Sequence, residues 1–301
     1  MGYLGPTLNF ATKFWLNFDK TAAHPRVRSI KEEMKMHIRR IGCLFLSLLV
    51  VLVIVVSGAT AQGIQPSGQK IGLDKKGNAI YQVDANGIKI GFKLIGSGEP
   101  LVMIMGTGGT MDHWPQEVID VLSKNYQLIL LDNRGMGYTT ANDVAFTYEL
   151  FADDVIGLLN SLGVKRANVL GFSMGSAITQ RLLFEYPQRV NKAIIYATST
   201  DGNKVVKKTF DDPNIMRQVG AATWKTPLDK LPLITNQVMI VIGTADTIVG
   251  VESSKTLASA IPGAWLVQFK NATHRLIFEA PAEFAKIVLT FLDIGETVAV
   301  K

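Results

Sequence analysis

The sequence predicts an α/β fold with a mostly parallel central sheet, helices on both faces and a small cap insertion. Short apolar runs such as Leu101–Met105 and Val238–Ile242 alternate with segments whose apolar residues recur at helical spacing, as in Tyr148–Leu162. Nearly continuous apolar runs of this length are typical of parallel strands buried on both faces. Strands that alternate with helices along a chain favour one sheet covered by helices on each side.

The elements follow in order along residues 79–301, the predicted main domain. Asn86-Gly87 separates two strands, Ile80–Val83 and Ile88–Leu94, and this dipeptide is a strong hairpin signal. The later predicted strands are Leu101–Met105, Gln127–Leu131, Ala167–Phe172, Ala193–Tyr196, Val238–Ile242 and Trp265–Phe269. The predicted helices are Pro115–Ser123, Tyr148–Leu162, Ala177–Phe184 and Pro281–Leu292.

Two stretches carry no clear strand or helix signal. Residues 62–78 are rich in Gly, Ser and Lys, and we interpret them as a linker. Residues 198–237 have mixed charge and lie between two predicted strands. This segment is long for a simple connection, so we predict a small cap at the carboxyl edge of the sheet.

The N-terminal residues predict export. Basic residues in the segment 1–40 precede an almost purely apolar run, Ile41–Ser57, which leads to Ala59-Thr60-Ala61. This order is typical of a signal peptide cleaved after Ala61. Residues 41–61 are also long enough for an uncleaved transmembrane anchor, and both fates place the main domain outside the cytoplasmic membrane. A start at Met34 or Met36 would give a conventional signal peptide, so we expect residues 1–33 not to be translated. The alternative is a start at Met1, with a short cytoplasmic tail ahead of an anchor.

The basic charge of the chain belongs to this leader. Residues 1–61 contain 8 Lys/Arg and 3 Asp/Glu, so their net charge is +5. Residues 62–301 contain 23 Lys/Arg and 22 Asp/Glu, so their net charge is +1. A main domain without a strongly basic stripe argues against nucleic-acid binding. The single cysteine, Cys43, lies inside the apolar run and excludes an intrachain disulfide or a cysteine-based metal site. We expect no cofactor and no metal.

The most informative motif is Gly171-Phe172-Ser173-Met174-Gly175, which reads G-x-S-x-G. It lies between a predicted strand and a predicted helix, as a nucleophile elbow requires. Glycines on both sides allow strand and helix to approach a serine in a strained backbone conformation. The N–H groups at the start of the helix then point to the place where negative charge develops during acyl transfer.

A nucleophilic serine needs a base and an acid. Of four histidines, His24 and His37 lie in or before the leader, which leaves His113 and His274. His274 follows the last predicted strand and is favoured, because such a loop projects at the carboxyl edge of the sheet, where the serine also lies. Asp246 follows the preceding strand at the same edge and is the favoured acid; Asp201 is the alternative.

These motifs resemble the α/β-hydrolase fold family, serine hydrolase branch, across about Ile80–Leu292. Ser173, Asp246 and His274 occur in the family's order. Gly106-Thr107-Gly108-Gly109 stands where the family has its oxyanion loop, and Asp132–Gly137 is similar to its structural D-x-R-G-x-G turn. The resemblance implies an oxyanion hole formed by the backbone N–H groups of Thr107 and Met174.

The resemblance implies a serine hydrolase that acts on a small-molecule ester or related acyl compound. A carboxylic ester hydrolase with an acyl-enzyme intermediate is the favoured activity. Thioester or carbon–carbon bond hydrolysis, perhydrolase chemistry and lyase chemistry are alternatives on the same fold, and so is a ligand-binding module that catalyses nothing. A membrane is a partner only if residues 41–61 stay uncleaved.

Overall fold

The computed structural model describes residues 63–205 and 208–295, together with Glu33, Met36 and His37. The predicted leader, residues 41–61, therefore lies outside the described residues. Among the helices of the described residues, none combines the length and the apolar character needed to span a bilayer.

Within the described residues, nine strands form one sheet: β1 Gln69–Leu73, β2 Ala79–Ala85, β3 Ile88–Ile95, β4 Glu99–Ile104, β5 Tyr126–Leu131, β6 Ala167–Phe172, β7 Val190–Tyr196, β8 Gln237–Gly243 and β9 Trp265–Phe269. Their order across the sheet is β1-β2-β3-β5-β4-β6-β7-β8-β9. Pairing is antiparallel from β1 through β3 to β5 and parallel from β5 to β9. The predicted mostly parallel sheet is confirmed.

Helices cover both faces of this sheet. They are α1 Gln116–Leu122, α2 Tyr148–Ser161, α3 Met174–Glu185, α4 Pro213–Ala221, α5 Glu252–Ala260, α6 Leu276–Glu279 and α7 Pro281–Asp293. Successive strand residues point to opposite faces, so Val102 and Ile104 pack in the core beneath α2, α3 and α5. Leu101 and Met103 pack in the other core, with α1 and α7. Burial on both faces explains the continuous apolar runs.

The prediction that residues 62–78 form a linker is wrong in part. Gln69–Leu73 forms β1, which pairs with β2 in the antiparallel sense. It is an edge strand whose side chains are mostly exposed, so its sequence lacks the apolar alternation that would have revealed it. Asp74, at its end, is nearly buried and forms an ion pair with Lys93 of β3 at 2.8 Å. This part of the segment therefore belongs to the main domain.

The predicted cap, residues 198–237, connects β7 to β8 and contains α4. An isolated bridge between Asp201 and Lys225 and two 3-10 turns, Gly202–Lys204 and Leu228–Leu233, complete its described part. The α4 helix begins at the proline of Asp212-Pro213, where the Asp212 carboxylate accepts hydrogen bonds from the amides of Asn214 and Ile215.

Candidate active site

The nucleophile elbow is formed as the motif predicts. Ser173 joins β6 to α3 with φ of 53° and ψ of −115°, a conformation that costs energy for a residue with a side chain. A Cβ atom on Gly171 would lie 2.1 Å from the carbonyl oxygen of Gly175, and one on Gly175 would lie 2.1 Å from that of Ile104. Only glycine fits at either position, so the two glycines of the motif allow strand and helix to pack closely on both sides of the strained serine.

The structure brings Ser173, His274 and Asp246 into one hydrogen-bonded chain. Nε2 of His274 lies 3.0 Å from Oγ of Ser173, and Nδ1 of His274 lies 2.8 Å from Oδ2 of Asp246. An ionised carboxylate only accepts hydrogen bonds, so Nδ1 carries the proton and Nε2 is free to accept one from the serine. The three residues follow β6, β8 and β9, at the carboxyl edge of the parallel strands.

Asp246 is held as a buried carboxylate. Its side chain is fully buried, and its second oxygen accepts hydrogen bonds from the amides of Ile248 at 2.8 Å and Val249 at 3.1 Å. Burial alone would raise the pKa of Asp246, but the hydrogen bond and charge of His274, with the two amides, hold that pKa below its ordinary value. The carboxylate is therefore ionised at neutral pH and able to stabilise an imidazolium.

The alternative residues lie elsewhere. His113 is exposed, and its Nδ1 accepts a hydrogen bond from the amide of Thr110. The Asp201 side chain accepts from the amide of Asn203, so it caps the 3-10 turn at Gly202–Lys204 instead of facing the histidine. Geometry thus favours His274 and Asp246, as the sequence analysis does.

The predicted oxyanion donors border the same cavity as Ser173. Thr107 and Met174 both line it, and in the part of the chain that the structure describes neither amide donates a hydrogen bond. A Cβ on Gly106 would lie 2.9 Å from Cβ of Ser173, so glycine allows this loop to approach the serine. Two unused N–H donors beside a serine are the arrangement that binds a developing oxyanion.

The cap holds the oxyanion loop from the outside. Gln218 of α4 is fully buried; its Oε1 accepts a hydrogen bond from the amide of Gly108 at 2.8 Å, and its Nε2 contacts the carbonyl of Arg134 at 3.4 Å. Sequence reasoning missed Gln218, because no motif identifies a cap glutamine that faces inward.

The Asp132–Gly137 turn supports the site structurally. Asp132 accepts hydrogen bonds from the amides of Met111 and Tyr138. The guanidinium of Arg134 is fully buried and forms two hydrogen bonds with Asp154, Nε to Oδ2 at 2.9 Å and Nη2 to Oδ1 at 2.5 Å. These bonds therefore fix the turn, which is the loop after β5, next to the oxyanion loop after β4.

The cavity at Ser173 has a volume of about 590 Å³, within the range of small-molecule sites. The cap supplies one wall through Val205, Phe210, Val219, Ala222 and Trp224, and Lys208 and Arg275 also border the cavity. The Arg275 guanidinium lies 4.6 Å from the centre of the Phe278 ring. Among the described residues, no group of three or more His, Cys, Asp or Glu side chains is arranged to hold a metal.

Comparisons with known proteins agree with this fold. Residues 99–216 match the family model of the alpha/beta hydrolase fold. The chain is 27% identical to a Mycobacterium tuberculosis protein named "Putative non-heme bromoperoxidase BpoC", over 65% of this chain and 94% of the relative. It is 23% identical to the 2-hydroxymuconate semialdehyde hydrolase of Pseudomonas sp. CF600, over 73% of this chain and 95% of that enzyme.

Solved structures give the same result for the fold. The enol-lactonase from Burkholderia xenovorans LB400 superposes with a TM-score of 0.65 at 21% identity, and the match covers 71% of this chain and all 100% of the lactonase. An esterase from Rhodococcus sp. ECU1013 superposes with a TM-score of 0.65 at 22% identity, covering 72% and 99% of the two chains. Sheet order, site placement and these matches agree: the chain has the α/β-hydrolase fold, and the family-model match and the named relatives support a hydrolase.

Proposed function

We propose that the protein is a serine hydrolase that cleaves carboxylic esters through an acyl-enzyme intermediate. The observation that carries the proposal is the chain of contacts from Ser173 through His274 to Asp246, at 3.0 and 2.8 Å. A serine in this setting has a base within hydrogen-bond reach, and the base has a carboxylate that fixes its tautomer.

The proposed reaction has two halves. In the first, Oγ of Ser173 attacks the substrate carbonyl while Nε2 of His274 takes the serine proton, and the amides of Thr107 and Met174 stabilise the oxyanion. The imidazolium, stabilised by Asp246, then gives its proton to the leaving alcohol and the acyl-enzyme remains. In the second half, water attacks the acyl carbon in the same way, which releases the acid and regenerates the serine. Each oxyanion donor contributes roughly 3–4 kcal/mol of transition-state stabilisation in enzymes of this type.

A substrate panel tests the proposal. Purified residues 62–301 should hydrolyse p-nitrophenyl esters, and Ser173→Ala should lower kcat by up to about 10⁶-fold. Ser176→Ala is the matched control: Ser176 lies in the first turn of α3, its hydroxyl donates to the carbonyl of Ser173, and it does not line the cavity. Ester turnover that persists at the wild-type rate in Ser173→Ala would refute the proposal.

Perhydrolase chemistry is the second candidate, because the M. tuberculosis relative is named as a bromoperoxidase. On the same acyl-enzyme, hydrogen peroxide in place of water would release a peracid, which could then oxidise a halide. Hydrolysis of a carbon–carbon bond is the third, since the Pseudomonas relative is a semialdehyde hydrolase. Peroxide-dependent peracid formation at a rate above ester hydrolysis would favour the second candidate over the first.

We further propose that this domain acts outside the cytoplasmic membrane. The basic flank, the apolar run Ile41–Ser57 and the Ala59-Thr60-Ala61 end support export. Cells that express the full chain should contain either soluble protein beginning at Gln62 or membrane-bound protein that keeps Arg39 and Arg40. Full-length protein in the cytosol would contradict both fates.

A further inference from the structure

Tyr148 has a hydroxyl group for which the fold provides no partner. It is the first residue of α2, is about 5% exposed and lines the cavity that contains Ser173. Within residues 63–205 and 208–295, no hydrogen bond involves this hydroxyl, whereas those of Tyr126, Tyr186 and Tyr196 donate to Asp293, Asp153 and the carbonyl of His274. The hydroxyl of the half-buried Tyr81 also has no such bond, but Tyr81 does not line the cavity. The Tyr148 hydroxyl is not among the described side-chain atoms that are shut off from solvent without a partner, so it is accessible from the cavity, where water or a ligand can bind it.

Two aromatic rings neighbour the phenol ring. The ring lies 5.7 Å from the ring of Trp224 in an edge-on arrangement and 6.5 Å from that of Phe151. Trp224 belongs to the cap and Phe151 to the next turn of α2, so the Tyr148 ring packs against both elements. Burial also raises the pKa of the Tyr148 phenol, which keeps it protonated and able to donate.

In the free protein, only solvent that enters the cavity can satisfy this hydroxyl. A substrate that fills the cavity with a plain alkyl chain would displace that solvent and leave the donor unpaired, which is unfavourable. A substrate with an oxygen at this place would restore the hydrogen bond. A neutral carbonyl oxygen accepts such a bond without bringing a charge against the aromatic rings of Trp224 and Phe151 that neighbour Tyr148.

We propose that Tyr148 is a specificity-determining residue whose hydroxyl donates a hydrogen bond to a neutral oxygen on the acyl chain of the substrate. The substrate class is then oxygen-bearing acyl esters, such as keto-acyl esters, in preference to simple alkanoyl esters. The inference rests on the proposed ester hydrolysis at Ser173, but it concerns recognition and can be measured without turnover.

The test compares p-nitrophenyl hexanoate with the 4-oxo and 5-oxohexanoate esters. With the wild type, kcat/KM for the better keto ester should exceed that for hexanoate by about tenfold, the size expected for one neutral hydrogen bond. Tyr148→Phe removes only the hydroxyl, and the ratio should fall to about one. A ratio that is the same in both proteins would overturn the proposal.

Tyr186→Phe is the matched control. It makes the same chemical change outside the cavity, where the hydroxyl donates to Asp153 at 2.6 Å. The control should keep the keto-ester preference but melt at a lower temperature than the wild type. Tyr148→Phe should show the reverse pattern, with a melting temperature no lower than that of the wild type, because no protein partner loses its bond. A clear drop in the melting temperature of Tyr148→Phe would assign the hydroxyl a structural role instead.

A binding measurement separates this inference from the proposed reaction. Calorimetric titration of Ser173→Ala with the same esters should give about tenfold tighter binding of the better keto ester, and Ser173→Ala/Tyr148→Phe should lose that difference. If no ester is hydrolysed but the binding difference depends on Tyr148, the recognition stands and the ester hydrolase proposal fails. If esters are hydrolysed but neither binding nor kcat/KM depends on Tyr148, the recognition fails and the reaction stands.

Discussion

The hydroxyl of Tyr196 donates a hydrogen bond to the backbone carbonyl of His274, with 2.9 Å between the two oxygens. The same oxygen accepts a hydrogen bond from the amide of Ile277 at 3.1 Å. Tyr196 is the last residue of β7, so the sheet itself fixes the loop that carries the histidine. Phe172 adds to this, because its ring stacks on Tyr196 at 4.8 Å and lies 5.2 Å from the imidazole.

Tyr196→Phe should therefore loosen the histidine without removing any reacting group. The loss of both hydrogen bonds should lower the free energy of unfolding by about 1–3 kcal/mol and lower kcat by about ten- to a hundredfold through misplacement of the imidazole. Tyr126→Phe is the control: it loses a hydrogen bond to Asp293, and neither residue lines the cavity. It should reduce stability and leave kcat near the wild-type value. Equal effects of the two substitutions on kcat would contradict a positioning role for Tyr196.

Gln218→Leu tests how the cap holds the oxyanion loop. The substitution keeps the size of the side chain but removes the acceptor for the Gly108 amide and the donor to Arg134. We expect kcat to fall by about tenfold with a smaller change in KM, because a displaced oxyanion donor affects the transition state; complete loss of one such donor costs 10²–10³-fold. An effect confined to KM would show that Gln218 shapes the cavity and does not position the donor.

Arg134→Met tests the buried ion pair beneath the site. It leaves the nearly buried Asp154 carboxylate without its guanidinium, and such a loss typically costs about 3–5 kcal/mol. In urea unfolding, the double variant Arg134→Met/Asp154→Leu should regain part of that loss, since no buried charge remains unpaired. If the losses in free energy of unfolding of the two single variants simply add in the double variant, the two residues do not act as a pair.

The ion pair of Asp74 with Lys93 predicts a pH dependence of stability. Burial would raise the pKa of Asp74, but its hydrogen bonds with Lys93, Asn78 and Lys76 hold that pKa below the usual range. The folded pKa thus lies below the unfolded value of about 3.9. The ionised group stabilises the fold above that pH, and its contribution is lost as the pH falls through the folded pKa.

Asp74→Asn should accordingly be less stable than the wild type at pH 7, by about 1–3 kcal/mol. The difference between the two proteins in urea unfolding should shrink as the pH falls below about 4. A difference that stays constant or grows with acidification would mean that Asp74 does not titrate with a lowered pKa. The same experiment tests whether the end of β1 belongs to the folded domain.

The parallel half of the sheet could be predicted from the sequence because strands that are buried on both faces consist of continuous apolar runs. The order Ser173, Asp246, His274 could be predicted because each follows a strand at the same edge. The edge strand Gln69–Leu73 could not, since only one side of it is paired and its side chains are mostly exposed. Gln218 and Tyr196 escaped prediction for another reason: their roles depend on backbone atoms of distant loops, which no local pattern encodes.

Covalent labelling of Ser173 tests the central claim most directly. A fluorophosphonate reacts with an activated serine much faster than with an ordinary one, and attack on it places negative charge on the phosphoryl oxygen, which Thr107 and Met174 are proposed to stabilise. Intact-mass and peptide analysis of the folded main domain should show one adduct, on Ser173, with none in Ser173→Ala. Labelling of Asp246→Asn should be slower by up to about 10⁴-fold, as for the loss of the carboxylate in other serine triads. Folded wild-type protein that takes up no label at Ser173 would contradict the account and favour a binding module without catalysis.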